Sequence, residues 1–305
     1  MNKTLDDRGF MRYLKQGVFT LGLDVGLEIG PTRSNEDVVF KGAFHRRQYI
    51  TAPAALIRLG LPTEKPGPFT LIDPHFFPNV ARSWRNTETC CEILGPGMIL
   101  LKNYITPQGQ ADIVDKCQKL GVDIGGFYEP RNPSGDKLRL HMTCFGRNWD
   151  PVTKYENPYR SDGSDPPKVP REFIHFAKTV IKDAQAHLDD VPLMVPDVCV
   201  VNHYSSHGRL GLHQDRDESS DSLRKGLPVI SISIGDTAEF CYGHTRDENK
   251  LESVFLRSGD VLIFGGKSRL IFHGVKKIYI MSVPEQINYA TKLIPGRLNL
   301  TLRQF

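Results

Sequence analysis

The strict alternation of polar and apolar residues near one end of the chain limits the folds that are available to it. Residues 297–303 read RLNLTLR, so leucines occupy every second position and polar residues occupy the positions between them. Since side chains along a β-strand point alternately to opposite faces, this run predicts a strand with one leucine face and one polar face. A polar face inside a closed β-structure implies a ligand cavity. Arg297 and Arg303 would then face an anion, because a guanidinium fork matches a carboxylate.

Short β-rich runs, separated by turn residues such as Gly259 and Gly265, make up most of the chain beyond Pro196. The predicted strands are residues 98–101, 198–201, 227–234, 238–242, 253–256, 260–264, 271–275 and 297–303. Many short strands with glycine turns predict two packed sheets. We therefore expect an α+β fold with a double-stranded β-helix (jelly-roll) core and supporting helices.

Two helical patterns predict the supporting helices. Thr106 and Pro107 suit the N-cap and first position of one helix, and Gly121 suits its end. Apolar residues recur at helical spacing over residues 173–184 and predict the second helix. Residues 145–167, between the two, are polar and aromatic without periodicity, which fits a functional loop and an ordinary surface loop equally well.

Residues 1–92 carry the weakest structural signals. Prolines and glycines are frequent there, apolar runs are short, and residues 51–61 suggest one short helix. Such composition predicts a segment that is partly irregular. The chain is therefore predicted to divide into an N-terminal extension, residues 1–92, and a folded domain, residues 93–305.

The bulk composition excludes some classes of protein. A formal charge of +4 permits a polyanionic partner such as nucleic acid without demanding one. Six cysteines without CxxC spacing favour free thiols over disulfides or a zinc site. No apolar run reaches about 18 residues, and no secretory signal is evident. We expect a monomeric protein of the nucleus and cytoplasm that does not span a membrane.

A candidate metal site combines His213, Asp215 and His273. The first two are two residues apart, so on an extended strand both would point the same way. His273 lies in an apolar run, where a histidine by itself is more often a core residue than a ligand. Two imidazoles and a carboxylate, with the other coordination positions open, are typical of non-haem Fe(II) oxygenases. Sharing one ion would require ligand atoms within about 3–4 Å of one another.

Polar residues elsewhere extend this hypothesis to a co-substrate. Asn202 and Tyr204 share one face of a second alternating run and could donate to a carboxylate. The alternatives are a strand-edge asparagine, a half-buried tyrosine and, for Arg297 and Arg303, solvated or salt-bridged arginines. Iron beside a row of arginines fits a chelating dicarboxylate such as 2-oxoglutarate, with O2 at the last open position.

The order of these motifs resembles the AlkB family of Fe(II)/2-oxoglutarate-dependent dioxygenases, in particular plant AlkB homologue 1-like nucleic-acid demethylases. The matching segments, between about residue 96 and residue 305, are NxY at 202–204, LHQDRDE at 212–218, SGDVL at 258–262, GGKSR at 265–269, HGV at 273–275 and RxNxTxR at 297–303. The resemblance implies that residues 93–305 form a dioxygenase domain that uses Fe(II), 2-oxoglutarate and O2.

The resemblance also implies a role for each matching residue. His213, Asp215 and His273 correspond to the catalytic iron ligands. The expected 2-oxoglutarate site comprises Asn202, Tyr204, Leu210, Ser231, Phe264, Arg297, Asn299 and Arg303. The expected contacts to the methylated base and its strand are Asp217, Arg246, Trp149 and Tyr155.

The implied reaction is oxidative removal of N-methyl groups from nucleic-acid bases, with N6-methyladenine in DNA as the expected substrate. A base inside a duplex would have to be flipped out or presented on a single strand. Asp217 and Arg246 also fit repair of N1-methyladenine and 3-methylcytosine in DNA or RNA. Two further alternatives are a dioxygenase of protein side chains and a weakly catalytic module that binds methylated nucleic acid. The intact ligand set favours an enzyme, since a pure binding module has no need of iron.

Overall fold

The structure is a computed structural model that describes residues 83–121, 126–205, 207–291, 293 and 296–305, together with two short strands nearer the N-terminus. The chain divides into two units, and the smaller one, residues 11–74, contains the antiparallel pair β1 (Glu28–Gly30) and β2 (Val39–Lys41). The other described residues belong to the larger unit. The helix predicted over residues 51–61 lies outside the described residues, and the boundary after residue 92 stays a prediction.

A seven-stranded antiparallel sheet forms the centre of the larger unit. Its strands, in spatial order, are β3 (Cys90–Gly95), β4 (Met98–Lys102), β11 (Val261–Phe264), β8 (Val229–Gly235), β13 (Arg297–Arg303), β6 (Val198–Tyr204) and β5 (His141–Phe145). The predicted alternating strand, β13, is hydrogen-bonded on both sides, to β8 and to β6. Its polar residues are therefore held in fixed register inside the sheet.

A second, four-stranded antiparallel sheet packs on the first. In spatial order it contains β10 (Glu252–Leu256), β9 (Thr237–Gly243), β12 (Phe272–Tyr279) and β7 (Leu210–His213). Two apolar clusters join the sheets, and one of them packs Leu100 and Phe264 against Phe240. The other packs Val200 against Val275. Two packed antiparallel sheets agree with the predicted jelly-roll core.

Two longer helices, α1 (Pro107–Leu120) and α2 (Arg171–Gln185), pack against the seven-stranded sheet and share its main apolar cluster. Two shorter helices are α3 (Ser220–Arg224) and α4 (Glu285–Thr291), and α4 contacts α1. α1 begins as predicted, because the Thr106 hydroxyl accepts a hydrogen bond from the Gly109 amide at 3.1 Å, and Gly121 caps its other end. None of the described helices is long and apolar enough to cross a bilayer.

The main hydrophobic core lies between these helices and the leucine face of β13. Leu298, Leu300 and Leu302 share one buried cluster with Phe173 and Phe176 of α2. Burial of each such side chain stabilises the fold by about 1.5–3 kcal/mol. Because the leucines point to the helices, the alternate polar residues of β13 point to the four-stranded sheet, as the alternation predicts.

Several elements escaped prediction because their sequences lack a clear period. β3, β5, α3 and α4 are short, and four of the five residues of β5 are buried, so no polar alternation marks it. β12 continues to Tyr279 rather than ending at residue 275, since the exposed Lys276 and Lys277 interrupt its apolar pattern. Among the described residues, the other predicted strands and the two predicted supporting helices are confirmed, with ends that differ by a few residues.

Candidate metal centre and co-substrate pocket

His213 and His273 meet through the pairing of two strands. β7 runs antiparallel to β12, and His213 lies directly opposite His273. Opposed residues on neighbouring strands carry their side chains on the same face, and here the two ring centroids are 4.4 Å apart. A Cβ at Gly274 would lie 2.8 Å from the carbonyl oxygen of Leu210. Glycine at this position therefore allows β7 to approach β12.

Asp215 reaches the same place from beyond the end of β7. That strand ends at His213, so strand alternation, on which the sequence hypothesis relied, does not orient the carboxylate. Two arginines orient it instead. Arg303 Nη2 lies 2.9 Å from Asp215 Oδ2, and Arg269 Nη1 donates to the Asp215 carbonyl oxygen. The position of the Asp215 carboxylate beside the two histidines therefore depends on tertiary contacts and not on local strand geometry.

The three side chains direct their ligand atoms toward one point. His213 Nε2 is 3.6 Å from Asp215 Oδ1, and His273 Nε2 is 3.8 Å from Asp215 Oδ2. One ligand atom from each residue lies within 4.8 Å of the other two. The histidine–aspartate distances match the expected spacing of about 3–4 Å, while the group as a whole is slightly wider.

Backbone carbonyl groups orient both imidazole rings. His213 Nδ1 is 2.9 Å from the Gly211 oxygen, and His273 Nδ1 is 3.2 Å from the Ile271 oxygen. A proton on each Nδ1 satisfies these contacts and leaves the Nε2 lone pair available for a metal. Burial lowers the pKa of His273 to about 4, and His213 acts in the same direction. His273 is therefore neutral near pH 7, which is the form that binds metal.

Asp215 is held as an anion. Burial by itself would raise the pKa of this carboxyl, but Arg303, then the two imidazoles and Arg269, bring it well below its usual range. Within the described part of the chain, Asp215 Oδ2 has no hydrogen-bond partner, although Arg303 is at ion-pair distance. A buried carboxylate oxygen without a hydrogen-bond partner, beside two imidazoles, fits a metal ligand. The donor set and its open side suit Fe(II).

One pocket contains the metal-binding group and all of the predicted co-substrate residues. The predicted residues that line it are Asn202, Tyr204, Leu210, Ser231, Phe264, Arg297, Asn299 and Arg303. Phe240, Leu256, Val275 and Thr301 also line it and were not predicted. The polar face of β13 thus forms one wall of a ligand cavity.

Arg297 is a buried cation at the pocket wall, and no described carboxylate lies within ion-pair distance of it. The residue is 1% exposed. Its guanidinium donates to Ser233 Oγ at 2.7 Å and to the carbonyl oxygens of Asp236 and Leu256, while its Nε has no hydrogen-bond partner among the described residues. Burial lowers its pKa to about 10, so it stays charged near pH 7. A buried charge in this position is suited to one carboxylate of a bound anion.

Arg303 and Asn299 form ion pairs or hydrogen bonds with other protein groups, which the sequence did not predict. Arg303 contacts Asp215 and also lies 3.2 Å from Glu218 Oε1, so the salt-bridge alternative applies to Arg303 and not to Arg297. The Asn299 amide donates to Ser231 Oγ at 2.8 Å and to a carbonyl oxygen of β8. Their roles toward 2-oxoglutarate stay predictions.

Sequence reasoning missed two charged residues beside the metal group. Glu218 and Arg269 are both buried, and Arg269 Nη2 lies 2.8 Å from Glu218 Oε2. Both occur within motifs that carry the family resemblance, LHQDRDE and GGKSR, and that was the one signal available. Their burial as a pair was not visible, because the two positions are far apart in the chain.

The loop over residues 145–167 brings three of the four predicted substrate residues together. Trp149 Nε1 donates to Asp217 Oδ2 at 3.0 Å, and Lys154 Nζ lies 3.3 Å from the same oxygen. The Tyr155 hydroxyl donates to Glu218 Oε1 at 3.0 Å. This loop is therefore attached to the segment that follows Asp215.

Arg246 is the predicted substrate residue that stands apart from this group. It is exposed, and its guanidinium lies 5.2 Å from the ring centroid of Phe272, the residue before His273. A stacked and exposed guanidinium suits contact with a phosphate.

Comparisons with known proteins agree with this site. The family model described as 2OG-Fe(II) oxygenase superfamily matches residues 97–303. The alpha-ketoglutarate-dependent dioxygenase AlkB of Escherichia coli K12 is 31% identical over 229 residues, which are 72% of this chain and 95% of that protein. The chain belongs to the AlkB family within the 2OG-Fe(II) oxygenase superfamily. Fe(II), 2-oxoglutarate and O2, the predicted cofactor and co-substrates, are those of this superfamily.

Plant proteins are more similar still. DNA N(6)-methyladenine demethylase ALKBH1C of Arabidopsis thaliana is 51% identical over 224 residues, which are 70% of this chain and 49% of that protein. The chain thus spans about half the length of this relative. The solved structure of rice OsALKBH1 is 49% identical, covers 71% of this chain and 100% of its own, and superposes with a TM-score of 0.68. This match confirms the predicted jelly-roll fold.

Proposed function

We propose that this protein is an Fe(II)- and 2-oxoglutarate-dependent dioxygenase that demethylates nucleic-acid bases, with N6-methyladenine in DNA as its main substrate. One observation carries the proposal: His213, Asp215 and His273 share a pocket with Arg297, a buried cation without a carboxylate partner in the described part of the chain. Iron would bind the two histidines and the aspartate, and a chelating dicarboxylate would bind the iron and pair with Arg297. The printed name of the Arabidopsis relative supports the choice of base.

Different residues of the pocket would bind the iron and the 2-oxoglutarate. His213 and His273 through Nε2, and Asp215 through its carboxylate, would hold the iron. Arg297 would bind the distal carboxylate of 2-oxoglutarate, with Tyr204 on the neighbouring strand β6 beside it. When bound, iron and 2-oxoglutarate supply oxidation of the methyl carbon by O2, which releases succinate, carbon dioxide and, from the hydroxylated methyl, formaldehyde.

The loop over residues 145–167 and the segment after Asp215 would receive the base. Trp149 offers an aromatic face for stacking, and Asp217 offers a carboxylate that could accept from an exocyclic amine. Lys154 and Arg246 are cations that could contact phosphates, which predicts salt-dependent binding. A single strand or a flipped base is required, because the reacting methyl must enter the pocket.

Repair of N1-methyladenine and 3-methylcytosine is a second candidate, and Asp217 favours it. These bases are positively charged near pH 7, whereas N6-methyladenine is neutral. The Asp217 side chain is 24% exposed beside Trp149, so a base stacked there would meet a carboxylate. The two candidates therefore predict different effects of removing that charge.

Turnover on defined oligonucleotides tests both candidates. Purified protein with Fe(II) and 2-oxoglutarate is given single-stranded DNA or RNA that carries one methylated base, and succinate and formaldehyde are measured. We expect the highest rate with N6-methyladenine in DNA and no turnover after Asp215→Ala. Asp217→Asn should slow the cationic bases more than N6-methyladenine. Absence of turnover on every substrate, together with unchanged oligonucleotide binding by Asp215→Ala, would instead indicate a binding module.

We propose that the protein acts as a monomer in the nucleus and cytoplasm. Sedimentation of the purified protein and imaging of the tagged full chain in cells would test these two points.

A further inference from the structure

Glu218 is a fully buried carboxylate outside the metal-binding group, and three side chains converge on it. Its Oε1 accepts hydrogen bonds from the Tyr155 hydroxyl at 3.0 Å and from Arg303 Nη1 at 3.2 Å. Its Oε2 accepts from Arg269 Nη2 at 2.8 Å. The Glu218 side chain is 0% exposed, so these contacts replace water completely. An ionised carboxylate can accept all three bonds at once.

These contacts connect the two functional regions of the site. Arg303 lines the pocket and, through its other terminal nitrogen, lies 2.9 Å from Asp215 Oδ2. Tyr155 belongs to the loop over residues 145–167 and packs edge-on against Phe305 at 4.9 Å. A continuous path of hydrogen bonds and ion pairs therefore runs from that loop through Glu218 to the metal-binding carboxylate.

The charges of this network balance internally. Asp215 and Glu218 contribute two negative charges, Arg269 and Arg303 contribute two positive ones, and all four residues are buried. Arg303 Nε has no hydrogen-bond partner among the described residues, so the guanidinium is oriented through its two terminal nitrogens. Loss of the Glu218 charge would release one end of that guanidinium and leave two arginines to share Asp215.

We infer that Glu218 is a positioning residue that fixes Arg303 at the pocket wall and couples this arginine to Tyr155 of the loop. The inference deepens the proposed function and rests on its 2-oxoglutarate chemistry, but not on the identity of the methylated base. Tyr155 itself does not line the pocket. The hydrogen bond to Glu218 is the contact through which we expect Tyr155 to affect 2-oxoglutarate affinity.

Calorimetric titration of 2-oxoglutarate into protein loaded with Mn(II), without nucleic acid, tests this coupling. The variants are Glu218→Gln, Tyr155→Phe and the double variant. Glutamine keeps the shape of the side chain but replaces an acceptor oxygen with a donor that faces a guanidinium. We expect Glu218→Gln to weaken 2-oxoglutarate binding about tenfold and Tyr155→Phe to weaken it about threefold, as loss of charge-assisted hydrogen bonds predicts. In the Glu218→Gln background, Tyr155→Phe should have no further effect.

Matched controls come from the same loop. Glu156→Gln and Tyr159→Phe make the same chemical changes at exposed positions and should leave the affinity unchanged. A purely structural role would reduce the number of binding sites per protein without changing their affinity, and calorimetry separates the two quantities.

Three results would overturn the inference. Unchanged affinity in Tyr155→Phe would do so even if Glu218→Gln fails to fold. Effects that multiply in the double variant would show that the two residues act independently. Wild-type protein that binds Mn(II) but not 2-oxoglutarate would remove the proposed function as well, which distinguishes that failure from a failure of the coupling alone.

Discussion

His213 and His273 are directly opposed across two antiparallel strands, β7 and β12, with ring centroids 4.4 Å apart. The chain separates these residues by a long segment, and strand register alone brings them together. The metal site therefore depends on how closely β7 approaches β12 as much as on the ligands themselves. That dependence can be tested without altering any ligand.

Gly274→Ala should weaken metal binding while the fold is retained. A Cβ at this position would lie 2.8 Å from the Leu210 carbonyl oxygen, a backbone atom, so β7 and with it His213 must shift. We expect a loss of Mn(II) affinity of about tenfold or more, comparable to the effect of disturbing ligand orientation. Gly211→Ala is the control, because a Cβ there has no neighbour within 4 Å. Equal affinities in the two variants would show that the approach of the strands is not limiting.

Substitution of either metal ligand should abolish Mn(II) binding, but the two substitutions should reduce the free energy of unfolding by different amounts. His213→Ala removes a side chain that is 35% exposed and should cost less than about 1 kcal/mol of unfolding free energy. Asp215→Ala leaves Arg303 and Arg269 with Glu218 as their remaining counter-charge and should cost about 3 kcal/mol. Both variants should lose Mn(II) binding in calorimetry. Urea unfolding of the metal-free proteins gives the stability, and equal costs would contradict the assigned charge network.

Arg297→Lys should weaken 2-oxoglutarate binding and leave metal binding intact. Lysine keeps the charge but loses the planar fork that matches a carboxylate. The expected loss is about 1.5–3 kcal/mol, or roughly tenfold to a hundredfold in affinity, the range for hydrogen bonds to a charged group. Calorimetry with Mn(II) and then with 2-oxoglutarate measures the two affinities separately. An unchanged affinity for 2-oxoglutarate would place the distal carboxylate elsewhere.

The metal-free protein should lose stability as the pH falls from 7 to 5. Burial lowers the pKa of His203 to about 3 and that of His273 to about 4, whereas both imidazoles titrate near their ordinary value of about 6.5 once unfolded. Below that value the unfolded chain binds protons that the folded protein does not, so stability is full above about pH 6.5 and declines with acid. Each histidine contributes a loss of about 2 kcal/mol over this interval.

A substitution can assign this pH dependence to one residue. His203→Gln removes a titrating group from the interior and should reduce the loss between pH 7 and pH 5 by about half. His187→Gln, at an exposed position, should leave the loss unchanged. The measurement is the unfolding free energy in urea at several pH values, and identical slopes in wild type and His203→Gln would refute the assignment.

Local sequence patterns predicted much of the fold for a physical reason. The alternation in residues 297–303 depends on strand geometry, and the spacing in residues 173–184 depends on helix geometry, so both are readable without knowledge of the partners. The structure confirms both, with the leucines of β13 buried against α2. β5 and α4 escaped prediction because they are short and lack a marked period.

The sequence predicted which residues form the candidate site, but not the contacts that hold them in place. Residue types and motif order pointed to His213, Asp215 and His273, and these residues do meet in one pocket. The expectation that strand geometry aligns His213 with Asp215 was wrong, because β7 ends at His213 and two arginines orient the carboxylate.

The sequence by itself determined the strands and helices with a marked period and the chemical character of the site, because these follow from side-chain type and from periods of a few residues. Tertiary structure alone decided that Arg297 remains without a carboxylate partner among the described residues, whereas Arg303 pairs with Asp215 and Glu218. The two arginines lie on the same face of one strand and have the same chemistry. Their difference arises from the side chains that the rest of the fold brings to each, at distances in the chain over which no local pattern extends.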